Sequence, residues 1–367
     1  MLFTSSIKNN LLPKLINFIS TKFKPWVNSP FIEDKEKIST FTHPLPQNFN
    51  ELPQVFARQY DQVTIIRPRK IYYLKKVYAT WQGVVFKNLK VFIPSLQTPT
   101  LVHYFQNPIL LKQWLGKITH IMDESGVAIV HNQFAQDNYY HWIVDSLPRL
   151  LNLRDYHPDI PIIVLDPPKK FITQTAEALG FKHFIKINKK QTLKIKQLVL
   201  PDEHPVALGC IDPFSIKIVK NELLQKLGSI GITPHRRIYV SRARQTFRKV
   251  ANQNELDILL NKYNFETIFF EDLSISSQIR IMQETTAFLS VHGANMVNCI
   301  FLNSGTPVIE LQSITLMNPP YWRLSSALSL PYYVLPCKPV IDEPTSHRSD
   351  VDIMVDLDQL ENILRNL

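Results

Sequence analysis

The sequence predicts an α/β protein made of two doubly wound domains in tandem. Strand-like and helix-like segments alternate in two runs, 127–200 and 212–311, which is the pattern of parallel sheets covered by helices. The chain has 367 residues, and at about 150 residues per domain this length suggests two domains. Pro205, Gly209 and Pro213 lie between the two runs and indicate a linker.

A long N-terminal portion precedes the first run. Residues 25–60 are rich in proline, asparagine and charge and predict an irregular arm. Residues 63–93 hold short runs of β-branched and aromatic residues, typical of an antiparallel patch. The periodicity then predicts strands at 127–131, 160–166, 184–187 and 193–200, with helices over 140–153 and 171–179.

The second run has the same alternation. It predicts helices over 213–227, 254–263 and 274–283 and one from Ala294, between strands at 237–241, 266–270, 287–291 and 307–311. In such sheets, ligands bind at the carboxyl ends of the strands. We therefore divide the chain into an arm (1–60), a first α/β domain with the antiparallel patch (61–210), a second α/β domain (211–345) and a tail helix (346–367).

Composition and charge exclude several classes of protein. Hydrophobic residues make up 45% and charged residues 20%, which excludes wholesale disorder. A formal net charge of +10 points to an anionic partner. Lysines and arginines are scattered along the sequence rather than interleaved with stacking aromatics, so we expect no nucleic-acid partner. Cys210, Cys299 and Cys337 are far apart and form no CxxC, which favours a reducing compartment without structural zinc.

Residues 14–24 form a short basic amphipathic pattern. Such a helix can lie on an anionic membrane, or it can be a frayed leader or a docking helix for the protein's own core. No apolar run approaches the roughly 20 residues that cross a bilayer. We expect a cytoplasmic protein with peripheral contact at the inner face of the membrane through residues 14–24.

The segment 138–150 carries the most informative polar pattern. At about 100° per residue, Asn138, His141, Asp145 and Arg149 share one stripe, opposite an apolar face. His141 and Asp145 are i,i+4 neighbours, and such a pair can act as a general base. The alternative is a buried polar network that fastens the helix to the sheet. Pro148 complicates the stripe, because it can kink the helix.

Two further groups follow strand ends in the second run. The first is basic and consists of Ser241, Arg242, Arg244 and Arg248. Guanidinium forks match phosphate oxygens, although arginines on a solvated turn are common. The second is a small-residue turn that opens a helix, with His292, Gly293, Ala294, Asn295 and Asn298.

Backbone amides at such a turn can bind an anion, and Gly293 permits its close approach. Late in the next strand, Glu310 can hold ribose hydroxyls or be a solvated acid at a strand end. The DxD patterns at 350–352 and 356–358 precede a helix-like stretch, where aspartate is ordinarily an N-cap. We therefore expect no metal site.

Taken in order, the three groups resemble the glycosyltransferase 61 family. The matching stretches are NYYHWIVDSLPRL at 138–150, YVSRAR at 239–244 with RKVANQNEL at 248–256, and the segment 270–311 around VHGAN. The resemblance implies a GT-B-like fold, in which two Rossmann-type domains face a central cleft. It also implies an inverting, metal-independent glycosyltransferase that needs no cofactor beyond its nucleotide-sugar co-substrate, expected to be a UDP-sugar.

The resemblance also implies roles for matching positions. Arg242 and the turn 292–295 hold the donor diphosphate, with either Arg244 or Arg248 as second phosphate ligand. Asn298 and Glu310 contact or support the nucleoside side. On the acceptor side, His141 and Asp145 face a glycan or lipid-linked glycan. We favour Asp145 as the base, with His141 as its orienter or the alternate base, and Asn138, Trp142 and Arg149 complete this side.

The expected pathway is the biosynthesis of a capsular or other surface polysaccharide. The alternative is a non-catalytic relative that binds a nucleotide sugar or a glycan.

Overall fold

The computed structural model describes residues 25–33, 38–102, 104–105, 117–120, 126–202, 211–316, 318–340 and 351–367. The amphipathic pattern at 14–24 lies outside these residues. Among the described helices, none combines the length and the apolar character that a membrane span requires. The chain divides into two compact units. The first contains Met1–Lys37 and Arg67–Leu208, and the second contains Ile38–Ile66 and Gly209–Leu367.

The strands and helices alternate over most of the described chain. The strands are β1 (Phe31–Glu33), β2 (Ser39–Thr42), β3 (Val63–Ile66), β4 (Lys70–Thr80), β5 (Val85–Lys87), β6 (Lys90–Val91), β7 (Lys117–His120), β8 (Val127–Ala128), β9 (Ile162–Leu165), β10 (Phe184–Ile187), β11 (Gln191–Pro201), β12 (Arg236–Val240), β13 (Phe265–Ile268), β14 (Thr285–Val291), β15 (Val308–Ser313), β16 (Tyr332–Val340) and β17 (Asp352–Met354). The helices are α1 (Gln54–Ala57), α2 (Tyr139–His141), α3 (Leu147–Arg154), α4 (Lys170–Ala178), α5 (Pro213–Leu227), α6 (Gln253–Lys262), α7 (Ile275–Gln283), α8 (Pro320–Ala327) and α9 (Leu357–Arg365).

The first unit is built on a mixed sheet with the strand order β10-β9-β8-β11-β4-β5-β6, to which β1 adds on β4 and β7 on β11. Strands β8, β9 and β10 run parallel, and β11 runs parallel to β7 and β8. Strands β4, β5 and β6 are antiparallel to their neighbours. The expected antiparallel patch and the expected parallel strands thus form one sheet. Its core includes Leu74, Val127 and Ile163.

The second unit is built on a sheet with the order β13-β12-β14-β15-β16-β17. Strands β12 to β16 are parallel, and only β17 is antiparallel to its neighbour. Because β13 lies on one side of β12 and β14 on the other, the strand order reverses between β12 and β14. In doubly wound sheets, ligands bind at the carboxyl ends of strands at such a switch point.

Residues 38–66 depart from the expected irregular arm. They form the antiparallel strands β2 and β3 with helix α1 between them, and they belong to the second unit. The side chain of Asn48 pairs with the backbone of β16. Its Nδ2 donates to the carbonyl of Val334, 2.8 Å, and its Oδ1 accepts from the amide of Val334, 3.2 Å. Trp322 Nε1 donates to the carbonyl of Pro44, 2.7 Å. These partners lie about 280 residues away in the chain, beyond the reach of local sequence patterns.

Other differences from the predicted elements are local. Within the predicted antiparallel patch, β4 is a long strand that continues through Lys76, whose φ of 53° lies in the left-handed region. The helix expected from Ala294 is a 3₁₀-helix, Ala294–Phe301. Strand β16, helix α8 and strand β17 were not predicted.

Candidate functional site

The polar pattern at 138–150 folds as a helix with an irregular middle. Asn138 caps its start, because Oδ1 accepts hydrogen bonds from the amides of Tyr140, 3.0 Å, and His141, 3.4 Å. Between α2 and α3 the chain makes a π-helical turn, Trp142–Ser146. Such turns often occur at functional sites. The turn carries Asp145 and directly follows His141.

His141 and Asp145 form a hydrogen-bonded pair, which we call the dyad. Nδ1 of His141 donates to Oδ2 of Asp145 over 2.7 Å, and only 16% and 11% of the two side chains are exposed. A carboxylate can only accept, so the proton of the neutral ring sits on Nδ1 and Nε2 keeps a lone pair. Among the described residues, Nε2 has no hydrogen-bond partner. The dyad can therefore accept a proton at Nε2.

Two further side chains hold the carboxylate of Asp145. Nδ2 of Asn132 donates to the same oxygen, Oδ2, over 2.7 Å, and Nε2 of Gln97 lies 3.4 Å from it. We did not predict either residue. For Asn132 a signal existed, because the polar sequence 131–133 directly follows the apolar strand residues 127–130. Gln97 lies in a loop whose sequence carries no comparable signal.

Trp142 and Arg149 do not join the dyad, which corrects their assignment to the acceptor side. Trp142 is buried, and its Nε1 donates to Oγ1 of Thr175 over 2.8 Å. Arg149 is buried, and its Nε and Nη2 donate to the carbonyl of Pro201, 2.8 and 2.6 Å. The intervening π-helical turn breaks the regular rotation of about 100° per residue, so positions beyond it leave the stripe. For Arg149, the alternative of a buried network is the better description.

In the second unit, the predicted residues gather at the switch point of the sheet. Arg242 follows the end of β12, and His292 and Gly293 follow the end of β14. The two strands are hydrogen-bonded neighbours. We call Arg242, Arg248, His292 and Gly293 the arginine–glycine cluster.

The guanidinium of Arg242 lies directly against the backbone of Gly293. A Cβ at Gly293 would lie 2.2 Å from Nη1 and 3.0 Å from Cζ of Arg242, which is closer than side chains can approach. Arg248 comes to the same turn, and its Nη1 donates to the carbonyl of His292 over 3.2 Å. Nε of Arg248 is buried and has no partner among the described residues. Two guanidinium groups thus lie at the opening of the 3₁₀-helix, whose first amides lack partners within the helix.

His292 forms a second histidine–carboxylate pair, with Glu310. Nδ1 of His292 donates to one oxygen of Glu310, and the hydroxyl of Tyr332 donates to the other. Burial, reinforced by the Glu310 charge, raises the pKa of Tyr332 well above its ordinary value, so the phenol stays a donor. Glu310 is fully buried and both its oxygens are engaged, so it orients His292 rather than presenting a carboxylate to a ribose.

The remaining predicted residues support the turn or lie beside it. Arg244 is 53% exposed, pairs with Asp272, and lies 3.9 Å over the ring of Phe269. Arg248, and not Arg244, therefore accompanies Arg242. Asn298 is buried and donates to the carbonyl of Asn295 over 3.1 Å, which braces the 3₁₀-helix that begins at Ala294.

Ser241 is also buried, and its hydroxyl accepts from the amide of Ala243 over 3.2 Å. In the described part of the chain, no three His, Cys, Asp or Glu side chains are grouped as metal ligands. Of the DxD aspartates, Asp352 accepts from the amide of Lys249, 2.8 Å, and Asp356 caps α9 through the amide of Gln359, 3.1 Å. Asp350 lies outside the described residues.

Comparison with known proteins finds a matching family model and similar curated proteins. Residues 139–309 match the family model described as Glycosyltransferase 61. The chain is 25% identical over 239 residues to the protein O-linked-mannose beta-1,4-N-acetylglucosaminyltransferase 2 of Xenopus laevis, covering 57% of this chain and 40% of that protein. It is 27% identical over 113 residues to the EGF domain-specific O-linked N-acetylglucosamine transferase of Drosophila melanogaster, covering 29% of this chain and 22% of that protein.

The chain thus spans less than half the length of these curated relatives. The family match includes the dyad in the first unit and the arginine–glycine cluster in the second. Through residues 139–309, this chain is similar to glycosyltransferase family 61.

Proposed function

We propose that the protein transfers an N-acetylglucosamine-type sugar from a nucleotide-sugar donor to a glycan acceptor, with inversion at the anomeric carbon and without a metal ion. The observation that carries this proposal is the contact of Arg242 with Gly293 at the switch point of the second sheet. The names of the relatives, both N-acetylglucosamine transferases, support the sugar class. A UDP-sugar is the donor we expect.

On the donor side, the arginine–glycine cluster neutralises the leaving diphosphate. When the bond from the anomeric carbon to the phosphate oxygen breaks, negative charge develops on that oxygen. Arg242 and Arg248 offer planar donor forks for phosphate oxygens, and the amides that open the 3₁₀-helix add further donors. Fixed positive groups of this kind stabilise the charge without reorganising during the reaction.

On the acceptor side, the geometry favours His141 as the base, with Asp145 as its orienter. Oδ2 of Asp145 already receives hydrogen bonds from His141 and Asn132, whereas Nε2 of His141 retains its lone pair. The acceptor hydroxyl gives its proton to Nε2 while its oxygen forms the bond to the anomeric carbon. The nucleoside diphosphate leaves on the opposite face, so the configuration inverts.

The two units contribute one cluster each, and we propose that they act as a GT-B pair on one donor and one acceptor. The pathway that we propose is the synthesis of a surface polysaccharide on the cytoplasmic side of a membrane. A non-catalytic relative that only binds a nucleotide sugar is the competing function. The binding residues of the second unit are common to both functions, so the dyad separates them.

The test combines donor binding with transfer. Thermal-shift measurements with a panel of UDP-, GDP- and CMP-sugars, with and without EDTA, identify the donor, because a bound ligand raises the melting temperature. We expect stabilisation by a UDP-sugar that EDTA leaves unchanged. Transfer is then followed by mass spectrometry of glycan acceptors, with Arg242→Ala as the variant that loses donor binding. Stabilisation that requires a divalent metal would contradict the metal-free mechanism, and binding without transfer to any acceptor would favour the competing function.

A further inference from the structure

Four exposed lysines lie on two paired strands of the sheet of the first unit. They come from β4 and β11, which are antiparallel neighbours. They are Lys75, Lys76, Lys194 and Lys196. We call this set the lysine cluster. Along the sequence its members are scattered, and only the strand pairing brings them together.

The strand register defines the cluster. Lys75 lies opposite Gln197 on β11, next to Lys196, and Lys194 lies opposite Tyr78, two residues from Lys76. Lys194 and Lys196 alternate with the buried Leu193 and Ile195, so they share one face of the sheet. Lys87 and Lys90 lie on the other face, that of Val85, and are not part of the cluster.

An irregularity in β4 increases the exposed charge. In a regular strand, consecutive side chains point to opposite faces, and one of two adjacent residues on a covered sheet is buried. At Lys76 the φ of 53° breaks the alternation, so Lys75 and Lys76 are both exposed. Bulges commonly redirect side chains in this way.

The cluster has no counter-charge of its own. The segments 62–122 and 178–201, which supply these lysines, contain no aspartate or glutamate. In the part of the chain that the structure describes, none of these four lysines forms an ion pair with a carboxylate. Like charges on adjacent strands repel each other, and an extended anionic partner would relieve that repulsion.

We propose that the lysine cluster docks the protein on an anionic phospholipid surface. Lysine is a compact, mobile charge suited to a diffuse layer of headgroups, and each lysine near such a surface adds to the attraction. Nucleic acid fits less well, because the cluster has no arginine forks and its nearest rings are not displayed for stacking. Tyr78 and Phe86 instead stack on each other at 5.4 Å. The inference is independent of the transfer reaction and of residues 14–24.

The experiment is vesicle flotation of the full chain. We expect binding to phosphatidylcholine vesicles that contain about 30% phosphatidylglycerol, no binding to pure phosphatidylcholine, and loss of binding as salt rises from about 50 mM to about 500 mM. Replacing four exposed cluster lysines with glutamine should weaken binding at least roughly tenfold. The substitutions are Lys75→Gln, Lys76→Gln, Lys194→Gln and Lys196→Gln.

Two control variants keep the result interpretable. The first removes the same number of charges from exposed lysines elsewhere and should bind like the wild type; it carries Lys169→Gln, Lys182→Gln, Lys217→Gln and Lys226→Gln. The second replaces the four cluster lysines with arginine and should retain binding. Three results would overturn the proposal. The first is a wild type that shows no preference for anionic vesicles, and the second is an equal loss of vesicle binding in both glutamine variants. The third is a cluster glutamine variant that loses binding to duplex DNA but keeps its binding to vesicles.

Discussion

Alanine at Gly293 tests the donor site through a single methyl group. The new Cβ would lie 2.2 Å from Nη1 of Arg242, whereas ordinary nonbonded contacts begin near about 3.5 Å. The guanidinium must therefore retreat by more than about 1 Å. The backbone at Gly293 is extended, with φ 170° and ψ 168°, which any residue adopts, so the side-chain contact alone is perturbed.

The expected effect is large on activity and small on stability. A misplacement of about 1 Å in a charged group can cost roughly 100-fold in rate, equivalent to about 2.7 kcal/mol of transition-state stabilisation. We expect kcat/KM for the donor to fall by about this factor, with weaker UDP binding in a titration. Arg242 is partly exposed, so the melting temperature of the Gly293→Ala variant should stay close to that of the wild type.

A double-mutant cycle supplies the control. In an Arg242→Ala background the displaced atoms are gone, so adding Gly293→Ala should change UDP binding and kcat/KM by less than about threefold. Wild-type activity in the single Gly293→Ala variant would refute the reasoning. So would an equal fold-loss in the two backgrounds, because it would mean that the methyl group acts on something other than Arg242.

Three further outcomes follow from the structure. His141→Ala and Asp145→Asn should each lower the rate of transfer by about 10² to 10⁴ without weakening UDP binding, and unchanged transfer in both would remove the dyad from the mechanism. Arg149→Met leaves the buried carbonyl of Pro201 without its donors and should lower the free energy of unfolding by about 2 kcal/mol, measured by urea denaturation, while UDP binding by the folded protein persists. Burial lowers the pKa of His43 to about 4 in the folded protein, whereas the ordinary pKa of histidine is about 6.5. Below about pH 6.5 the unfolded chain therefore binds more protons than the folded protein. The His43 contribution to stability should fall by about 2 kcal/mol from pH 7.5 to pH 5. A His43→Gln variant with the same pH dependence in urea denaturation would contradict this account.

Local sequence patterns predicted much of the second sheet. Apolar runs separated by helical periodicity marked its strands, and chain order alone placed Arg242 and His292 just beyond strand ends. The carboxyl ends of parallel strands share one edge, so the two groups could be expected near each other. The predicted strands at 237–241, 287–291 and 307–311 correspond to β12, β14 and β15 with small shifts at their ends.

Local sequence patterns did not predict the contacts between side chains of distant elements. On the regular helical wheel Arg149 shares the stripe of His141, and only the π-helical turn separates them. A carboxylate late in a strand has the same sequence signature whether it is solvated or buried. Glu310 is buried, and one of its oxygens accepts a hydrogen bond from the hydroxyl of Tyr332 on β16. Strand β16 was not predicted, so this contact could not be predicted either.

The α/β class, the order of the polar groups and the type of residue at each strand end depend on hydrophobic periodicity and chain order, so they were predictable from local patterns. Which of those residues meet depends on the fold. Arg242 and Gly293 are 51 positions apart, and their contact depends on the lateral pairing of β12 with β14. The attachment of residues 38–66 to the second unit depends on hydrogen bonds to β16. Such pairings arise from packing between remote segments, and no local pattern encodes the partner.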